Sequence, residues 1–506
     1  MDIGTNSIRI LIVRVNPNHS YSVLTQQKEV VRLGGGEFPT RHMQADAMNR
    51  GVLVCSKFVQ MARSFGASEI VAVATSASRD AENRDKFLLR LRKEDGLDVR
   101  VISGKEEARL IYLGVSSGLS LGNRQAVFID IGGGSTEIIV GDEHQHHYLD
   151  SLKLGAIRLT STCLKLNDPA PVRRAKYKLL QQEVKNASAV TVGHVKKYHL
   201  DLAVGSSGTI VNLAEIASRQ FNGRPLQRDD VLTHTQLKAV VRRLCGLTLA
   251  QRRRVPGINP ERADIIVAGA AVLDTLMSEL GLSEIMVSDR GLRNGMLANY
   301  LSRSESAGLL EQMSVRERSV LLLGRACGFD EAHARHVGDL ATQLFDSAAK
   351  MGLHTMGPTQ RELLNYAALL HDIGVFLSFV NHQDHTYYLI RNSDLLGFDQ
   401  TEIQIIAAVA RYHRKGFPSA QKEEMQHLDK ASQKTICQLC VFLRLAEALD
   451  RSHAAMVQQA SFKSNGRQGV RLRVRSAAEA TLELWGAMNH AKYFKKVFRR
   501  ELTVKP

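Results

Sequence analysis

The chain has 506 residues and carries 67 Lys and Arg against 51 Asp and Glu, a formal net charge of +16. That length exceeds one hydrophobic core and predicts three or four domains, and the charge points to a polyanionic partner: nucleic acid, polyphosphate or an anionic membrane surface. No apolar run reaches the roughly 18 residues of a membrane span, and the polar Asp2, Asn6 and Arg9 interrupt any secretory signal, so a cytoplasmic protein is expected.

The first segment runs Asp2-Ile-Gly-Thr-Asn-Ser7 into an apolar strand ending at Val13. Asp2 closes a buried strand in this pattern, yet only Met1 precedes it, which suggests an ancestral start several residues upstream. A hairpin partner over 21–33 is followed by a break at Gly34-Gly-Gly36. Apolar spacing then predicts a helix over 44–65, a strand over 69–75, a helix over 80–91, a strand over 99–102 and a helix from 105 to about 118. This order is that of a ribonuclease-H-like domain.

The stretch Val127-Phe-Ile-Asp-Ile-Gly-Gly-Gly-Ser-Thr-Glu-Ile-Ile-Val140 repeats the opening pattern. Asp2, Ile3, Gly4 and Ser7 match Asp130, Ile131, Gly132 and Ser135 at identical offsets, which predicts two similar domains facing one cleft. Three strands are expected over 125–154, with the histidines of the turn 142–147 read as a hairpin loop in preference to a metal site. A charged helix over 171–198 precedes Gly205-Ser-Ser-Gly-Thr209, a third turn of the same kind. Helical pattern over 256–280, a strand and turn over 284–292 and a helix over 294–301 complete this part, and the Ser/Glu-rich 301–313 reads as a linker.

From 314 to about 449 the pattern is helical and carries His336, His371-Asp372, His382, His385, His413, Glu447 and Asp450. Cys437 and Cys440 have redox spacing but lie in an apolar helical run and read as buried thiols. With Cys55, Cys163, Cys245 and Cys327 they form no disulfide framework, which suits a reducing compartment. The tail alternates Arg471-Leu-Arg-Val-Arg475 like a strand and ends in a basic amphipathic helix around 493–498.

A strand that delivers an acid into a Gly/Ser turn brings backbone amides against phosphate oxygens. Asp130 and Glu137 suit a hydrated Mg2+, which takes one or two carboxylates beside substrate phosphate. Reaction at phosphorus also needs a base. Lys105-Glu106-Glu107-Ala-Arg109 supplies two adjacent acids whose side chains point about 100° apart on a helix, so only one faces a cleft squarely, and spacing does not choose between them. Arg79, at another strand end, is a candidate phosphate clamp. The His…His-Asp…acid order in the helical part suits a metal-dependent phosphohydrolase of the HD type.

Asp2-Ile-Gly-Thr-Asn-Ser7, Ser103-Gly-Lys-Glu-Glu-Ala-Arg-Leu110, Asp130-Ile-Gly-Gly-Gly-Ser-Thr-Glu137, Gly205-Ser-Ser-Gly-Thr209 and Ser288-Asp-Arg-Gly-Leu-Arg293 occur in this order, and Tyr388-Leu-Ile-Arg-Asn-Ser-Asp394 and Ala410-Arg-Tyr-His-Arg-Lys415 follow. In these motifs the chain resembles the exopolyphosphatase / guanosine-pentaphosphate phosphatase family of the actin-like ATPase superfamily. The resemblance implies an α/β fold: two tandem ribonuclease-H-like (actin-like) domains over 1–120 and 121–302, an all-α HD-like domain over 314–460 and a small basic α+β C-terminal module over 461–506. It implies hydrolysis of the terminal phosphoanhydride of inorganic polyphosphate with Mg2+ and often K+, in a cytoplasmic enzyme that typically forms a homodimer. The alternative substrate is guanosine pentaphosphate (pppGpp) at the same site. Less favoured are an HD-type nucleotide hydrolase and a non-catalytic basic protein that senses polyphosphate or RNA, nucleic acid not being the expected partner.

By resemblance Glu107 is the catalytic base. Asp2, Gly4, Thr5, Asn6, Ser7, Arg79, Gly132, Gly133, Gly134, Ser135, Gly205, Ser206, Ser207, Gly208 and Thr209 bind phosphate, and Asp130 and Glu137 hold the metal. A second metal site is expected from His336, His371, Asp372, Glu447 and Asp450. Here Glu447 stands where the family's Leu-Ala-Asp motif carries Asp, and a Glu reaches further.

Overall fold

A computed structural model describes residues 1–15, 21–119, 121–122, 124–227, 230–301, 313–393, 395–426, 428–466, 469–476 and 479–505. These form two compact units, described in turn. The expected linker lies outside the described residues except at its two ends, as does Asp394 of the 388–394 motif.

The first unit contains two sheets. In the first, β1 (Asp2–Ile3), β2 (Ser7–Val15), β3 (Tyr21–Val30), β4 (Ala72–Ala74) and β5 (Val99–Val101) lie in the order β3-β2-β1-β4-β5. β1 runs antiparallel to β2 and parallel to β4, and β4 runs parallel to β5. Ile8, Ile10 and Ile12 alternate inward along β2 and pack with Phe58, Phe87 and Leu91 from the helices Ala45–Ser64 and Arg84–Asp95. The two-residue β1 is anchored beside β4, where the Met1 ammonium donates to Val71 O at 2.6 Å and Val73 N donates to Met1 O at 3.0 Å.

The second sheet holds β6 (Ala126–Ile131), β7 (Thr136–Gly141), β8 (His146–Leu152), β9 (Leu202–Ser206), β10 (Val231–Thr233) and β11 (Glu284–Val287), in the order β10-β11-β9-β6-β7-β8. The run β8-β7-β6-β9-β11 repeats the order of β3-β2-β1-β4-β5, and β7-β6-β9-β11 repeats the directions of β2-β1-β4-β5, with β10 as an added antiparallel edge. The expected duplication is therefore present in the topology. β6 is buried on both faces, which is why it reads as an unbroken apolar run. Phe128 packs on Ala108, Ile111 and Val115 of helix Gly104–Ser116, while Val127, Ile129 and Ile131 pack with Ile266 and Leu273 of helix Ile266–Leu280. The sequence reading passed over β10 and the helix His234–Gly246, although Thr233 and Gln236 form a reciprocal capping box at its start. The histidine-rich turn is a hairpin: Asp142 Oδ1 accepts from the amides of His144 and Gln145 at 2.7 and 2.9 Å, and Asp142 Oδ2 lies 2.9 Å from His147 Nε2.

The second unit is helical up to Ala448, with helices Val315–Ala326, Glu331–Lys350, Pro358–Leu370, His382–Asn392, Gln400–Arg411 and Lys430–Ala448 as its main elements. It closes with a sheet of β12 (Val457–Asn465), β13 (Gly469–Ser476) and β14 (Glu501–Lys505), in that spatial order. Phe462, Leu472, Phe494 and Phe498 share one continuous core with Phe442 and Leu445, so the basic tail packs on the helices instead of forming a core of its own. Among the described residues no helix is long and apolar enough to cross a membrane.

Candidate active site

The two strand turns close in the same way. Gly4 N donates to Ser7 O at 3.1 Å, and Gly132 N donates to Ser135 O at 3.0 Å. Both turns line a cavity of about 320 Å3 together with Asp2, Asp130, Glu107, Ser207 and Gly208. Asn6 lines it as well, and both its side-chain Nδ2 and Oδ1 are buried without a hydrogen-bond partner. Buried polar atoms rarely stay unpaired, so a polar ligand is the natural partner.

The third turn is held in an unusual conformation. Ser207 has φ of +75°, costly for a residue with a Cβ, and its hydroxyl donates to Ile131 O at 3.0 Å. A Cβ on the next residue, Gly208, would lie 2.3 Å from Arg262 Nη2, so glycine lets that guanidinium lie flush on the turn.

Glu106 and Glu107 share a helical turn but not an environment. Ser103 caps the helix, its hydroxyl accepting from Glu106 N at 3.1 Å. Glu106 is gripped by Arg109 Nε and Nη2 at 3.0 and 3.1 Å, and these bonds, with Arg100 nearby, hold its carboxyl below the usual range. Glu107 is 7% exposed and faces the cavity. Burial is the largest influence on it and pushes its pKa up to about 7; the carboxylates of Asp2 and Asp130 push the same way, and Arg79 opposes them.

Cations line the cavity too: Arg9, Lys28, Arg262, Arg290 and Arg293. Among the described residues, no carboxylate forms an ion pair with any of the five, and Arg290 donates to Gly114 O and Ser117 Oγ. Enclosure of the Lys28 amine, then the charges of Arg262 and Arg9, lower its pKa to about 8, although the residue as a whole is exposed at the rim. Burial and then Arg9 lower Arg262 to about 10. Cations that depress one another and form no close ion pair among the described residues are arranged for an anion.

Behind the base, helix Gly104–Ser116 crosses helix Leu292–Leu301 at the closest approach glycine permits. A Cβ on Gly295 would stand 1.7 Å from Leu110 O, and one on Gly114 would stand 2.2 Å from Gly291 O. This contact fixes Glu107 relative to the Asp289–Asn294 stretch of the cavity wall.

Several expected site residues stand one step back from the cavity lining. Arg79 turns to the base, donating from Nη1 to Glu107 Oε2 and to Ile102 O, both at 3.0 Å. Glu137 pairs with Asp130 across the ladder but is fully enclosed. It accepts from Ser151 Oγ at 2.8 Å, and its pKa is pushed well up, by burial first and then by Glu107 and Asp130. Ser206 Oγ donates to Asp130 Oδ2 at 2.6 Å, while Gly205 and Thr209 pack inside the fold, Gly205 against Ile210 and Ile285 and Thr209 against Gly269. Sequence reasoning missed Arg9, Lys28, Arg262 and Arg293. Arg9 left a signal as a cation between Ile8 and Ile10 in an otherwise apolar strand, and Arg293 stands at the end of the Ser288–Arg293 motif, where no role was read for it.

In the helical unit the expected metal set needs correction. His333, one helical turn before His336, is the residue that meets Glu447 and Asp450. His336 makes no hydrogen bond or ion pair with this group among the described residues, and its Nε2 is buried without a hydrogen-bond partner. Asp450 lies behind His333, on its Nδ1 side at 2.7 Å.

A duplicated actin-like unit with an acid and a crown of cations around one cavity defines a phosphate-handling enzyme. The family model for the Ppx/GppA phosphatase family matches residues 11–304 and that for its domain III matches 315–485, so the chain belongs to this family of phosphatases. The chain is similar to a solved exopolyphosphatase from Cytophaga hutchinsonii ATCC 33406, at 25% identity over 60% of this chain and 96% of that one, with a TM-score of 0.56. It is also similar to a solved exopolyphosphatase-like protein, at 26% identity over 60% of this chain and 98% of that one, with a TM-score of 0.53.

Proposed function

We propose that the cavity hydrolyses the terminal phosphoanhydride of inorganic polyphosphate and releases orthophosphate. The observation that carries this reading is a buried carboxyl with a pKa of about 7 in a cavity whose wall also carries five cations that form no ion pair with a carboxylate among the described residues. A base with that pKa is half ionised at neutral pH and takes a proton from water readily. Phosphoryl transfer needs positioning and charge stabilisation more than covalent help. Arg9, Lys28, Arg262 and Arg293 take the phosphate oxygens, and the turn amides and Asn6 orient the terminal group. Arg79 acts through Glu107, holding its carboxylate in place. The similarity to an exopolyphosphatase favours a polymeric substrate over a nucleotide.

The residues present fit a divalent cation. Asp2 and Asp130 are buried, line the cavity, and have pKa values raised first by burial, with no ion-pair partner among the described residues. Mg2+ held there would neutralise charge on the phosphate oxygens, with Glu137 supporting Asp130 from behind. An accompanying K+ and a homodimer belong to the proposal on family resemblance. Six unpaired cysteines accord with the cytoplasm as its location.

Phosphate release from long-chain polyphosphate and from guanosine pentaphosphate, measured side by side for wild type and Glu107→Gln, tests the reading. Polyphosphate is expected to turn over faster, and the variant to lose on the order of 10³-fold in kcat. Faster release from guanosine pentaphosphate would transfer the assignment to the nucleotide. Activity that survives Glu107→Gln but not His371→Ala would transfer it to the helical unit.

A further inference from the structure

The second unit gathers chemistry that the reaction at Glu107 does not use. Helix Glu331–Lys350 brings in His333, helix Pro358–Leu370 runs out into His371 and Asp372, and helix His382–Asn392 opens on His382. His413 follows helix Gln400–Arg411, and Glu447 comes from helix Lys430–Ala448. All but Asp372 are buried, His371 and His413 completely.

Asp372 stands at the centre. Its Oδ2 lies 3.6 Å from His371 Nε2, while its Oδ1 lies 3.3 Å from His382 Nε2 and 3.2 Å from His413 Nε2. Glu447 Oε2 lies 3.2 Å from His333 Nε2 and 3.1 Å from His371 Nε2. These separations match the spacing of about 3.4 Å between donors that each stand roughly 2.1 Å from one tetrahedral ion.

The outer side of each ring fixes its tautomer. Nδ1 of His371, His382 and His413 faces the carbonyl oxygen of Ala368, Phe379 and Ala410, at 2.6, 3.0 and 2.7 Å. A carbonyl only accepts, so Nδ1 carries the proton and the neutral ring turns its Nε2 lone pair inward. His333 Nδ1 faces Asp450 Oδ2 at 2.7 Å, the carboxylate–imidazole pairing that orients a metal-bound histidine. Arg414 holds the other oxygen of Glu447, donating from Nε at 3.0 Å and from Nη2 at 2.5 Å. On the inner side, His333 Nε2, His371 Nε2, Asp372 Oδ1 and Glu447 Oε2 are buried and make no hydrogen bond, although the distances among them are those of close pairs. His382 Nε2 and His413 Nε2 face each other at 3.2 Å. Lone pairs that converge in a buried site are stabilised by a cation between them.

We propose that this cluster is a two-ion centre for divalent transition metals. His333, His371 and Glu447 hold one ion, His382 and His413 hold the other, and Asp372 bridges them through its two oxygens. Mixed imidazole and carboxylate donors select Mn2+, Fe2+, Co2+ or Zn2+ over Mg2+ and Ca2+, which prefer oxygen alone. The second ion has only three protein donors and so retains positions for water or a phosphate oxygen. Asp450 and Arg414 are positioning residues that aim His333 and Glu447.

The test uses the full chain, stripped with a chelator, dialysed against Mn2+ or Co2+ and counted by mass spectrometry of the metal. Wild type is expected to hold about two equivalents more than Asp372→Asn. His336→Ala should match wild type. Mn2+ in wild type should show imidazole nitrogen coupling in its electron spin echo, which the oxygen-only acids around Glu107 cannot supply. Circular dichroism checks that the variants fold, and the wild-type nitrogen signal does not depend on any of them. Equal metal content in wild type and a folded Asp372→Asn, or no nitrogen coupling in metal-loaded wild type, would overturn the proposal. A difference of a single ion would overturn the shared-carboxylate form.

Discussion

The two strand turns of the first unit are built alike and carry opposite charge at one matched position. Each begins with an acid at a strand end, Asp2 or Asp130, and each closes a glycine amide onto a serine carbonyl. Each acid faces, across its ladder, the residue seven places on: Arg9 in the first copy and Glu137 in the second. Arg9 reaches the cavity as a cation without an ion-pair partner among the described residues. Glu137 is enclosed, and burial first, then the carboxylates of Glu107 and Asp130, push its pKa well up. One scaffold thus serves two purposes: the first copy supplies a charge for the anion, and the second stiffens the strand behind Asp130.

Writing the second copy's charge into the first should have the largest effect. Arg9→Glu exchanges a cation for an anion among Asp2, Asp130 and Glu107, and kcat/KM for polyphosphate is expected to fall about 10³-fold, equivalent to about 4 kcal/mol. Glu137→Gln keeps the shape of an enclosed side chain whose burial and neighbouring carboxylates favour the neutral form, and it should stay within about threefold of wild type. Comparable losses in the two variants, measured by phosphate release, would show that the two positions do the same work.

The motifs made the duplication legible because each turn demands glycine and serine at fixed offsets after a strand-end acid. Asp2 to Ser7 and Asp130 to Ser135 could therefore be matched without a structure. Charge at the site was much less visible. Arg262 follows an unremarkable Asn259-Pro-Glu and reaches the cavity only because Gly208 leaves room for it. Lys28 arrives from β3, a mostly exposed hairpin strand with no periodic signal for an inward-facing amine. Glu106 and Glu107 were indistinguishable by spacing, since partners distant in sequence, Arg79 and Asp130 for Glu107, distinguish them. In the helical unit His333 and His336 share a helix three residues apart, and only the packing against Glu447 and Asp450 shows which one joins the cluster.

An intermediate effect is expected in the pH profile, which separates the base from the cations. The Glu107 pKa of about 7 predicts that kcat/KM rises with pH through that value as the carboxyl ionises. The Lys28 pKa of about 8 predicts a fall above it as the amine loses its charge. Lys28→Arg, which keeps a cation throughout, should remove the alkaline limb and leave the acid limb unchanged. An alkaline limb that persists in Lys28→Arg would place the second titration elsewhere. Stability should move as well. A carboxyl raised from 4.5 to about 7 on folding favours the folded state below its unfolded pKa, and that benefit is lost as pH rises through 7. Glu107→Gln never has to ionise in the fold, so above pH 7 it should be more stable than wild type by roughly 3 kcal/mol, with little difference near pH 4.

The smallest effect should come from the support given to one acid and not the other. Asp130 accepts a buried hydroxyl hydrogen bond from Ser206 at 2.6 Å, whereas Asp2 is compensated at longer range by Arg9 and Arg293. Ser206→Ala removes that donor and leaves Asp130 with a poorer environment for its charge, raising its pKa further. A lost hydrogen bond to a buried carboxylate costs about 1–2 kcal/mol, which in a unit of this size lowers the melting temperature by a few degrees. Because the proton is bound more tightly in the folded variant, the stability deficit should shrink as pH falls and Asp130 becomes neutral in both proteins. A deficit that does not change with pH would mean that Ser206 acts through packing, and the second turn would then hold its acid no differently from the first.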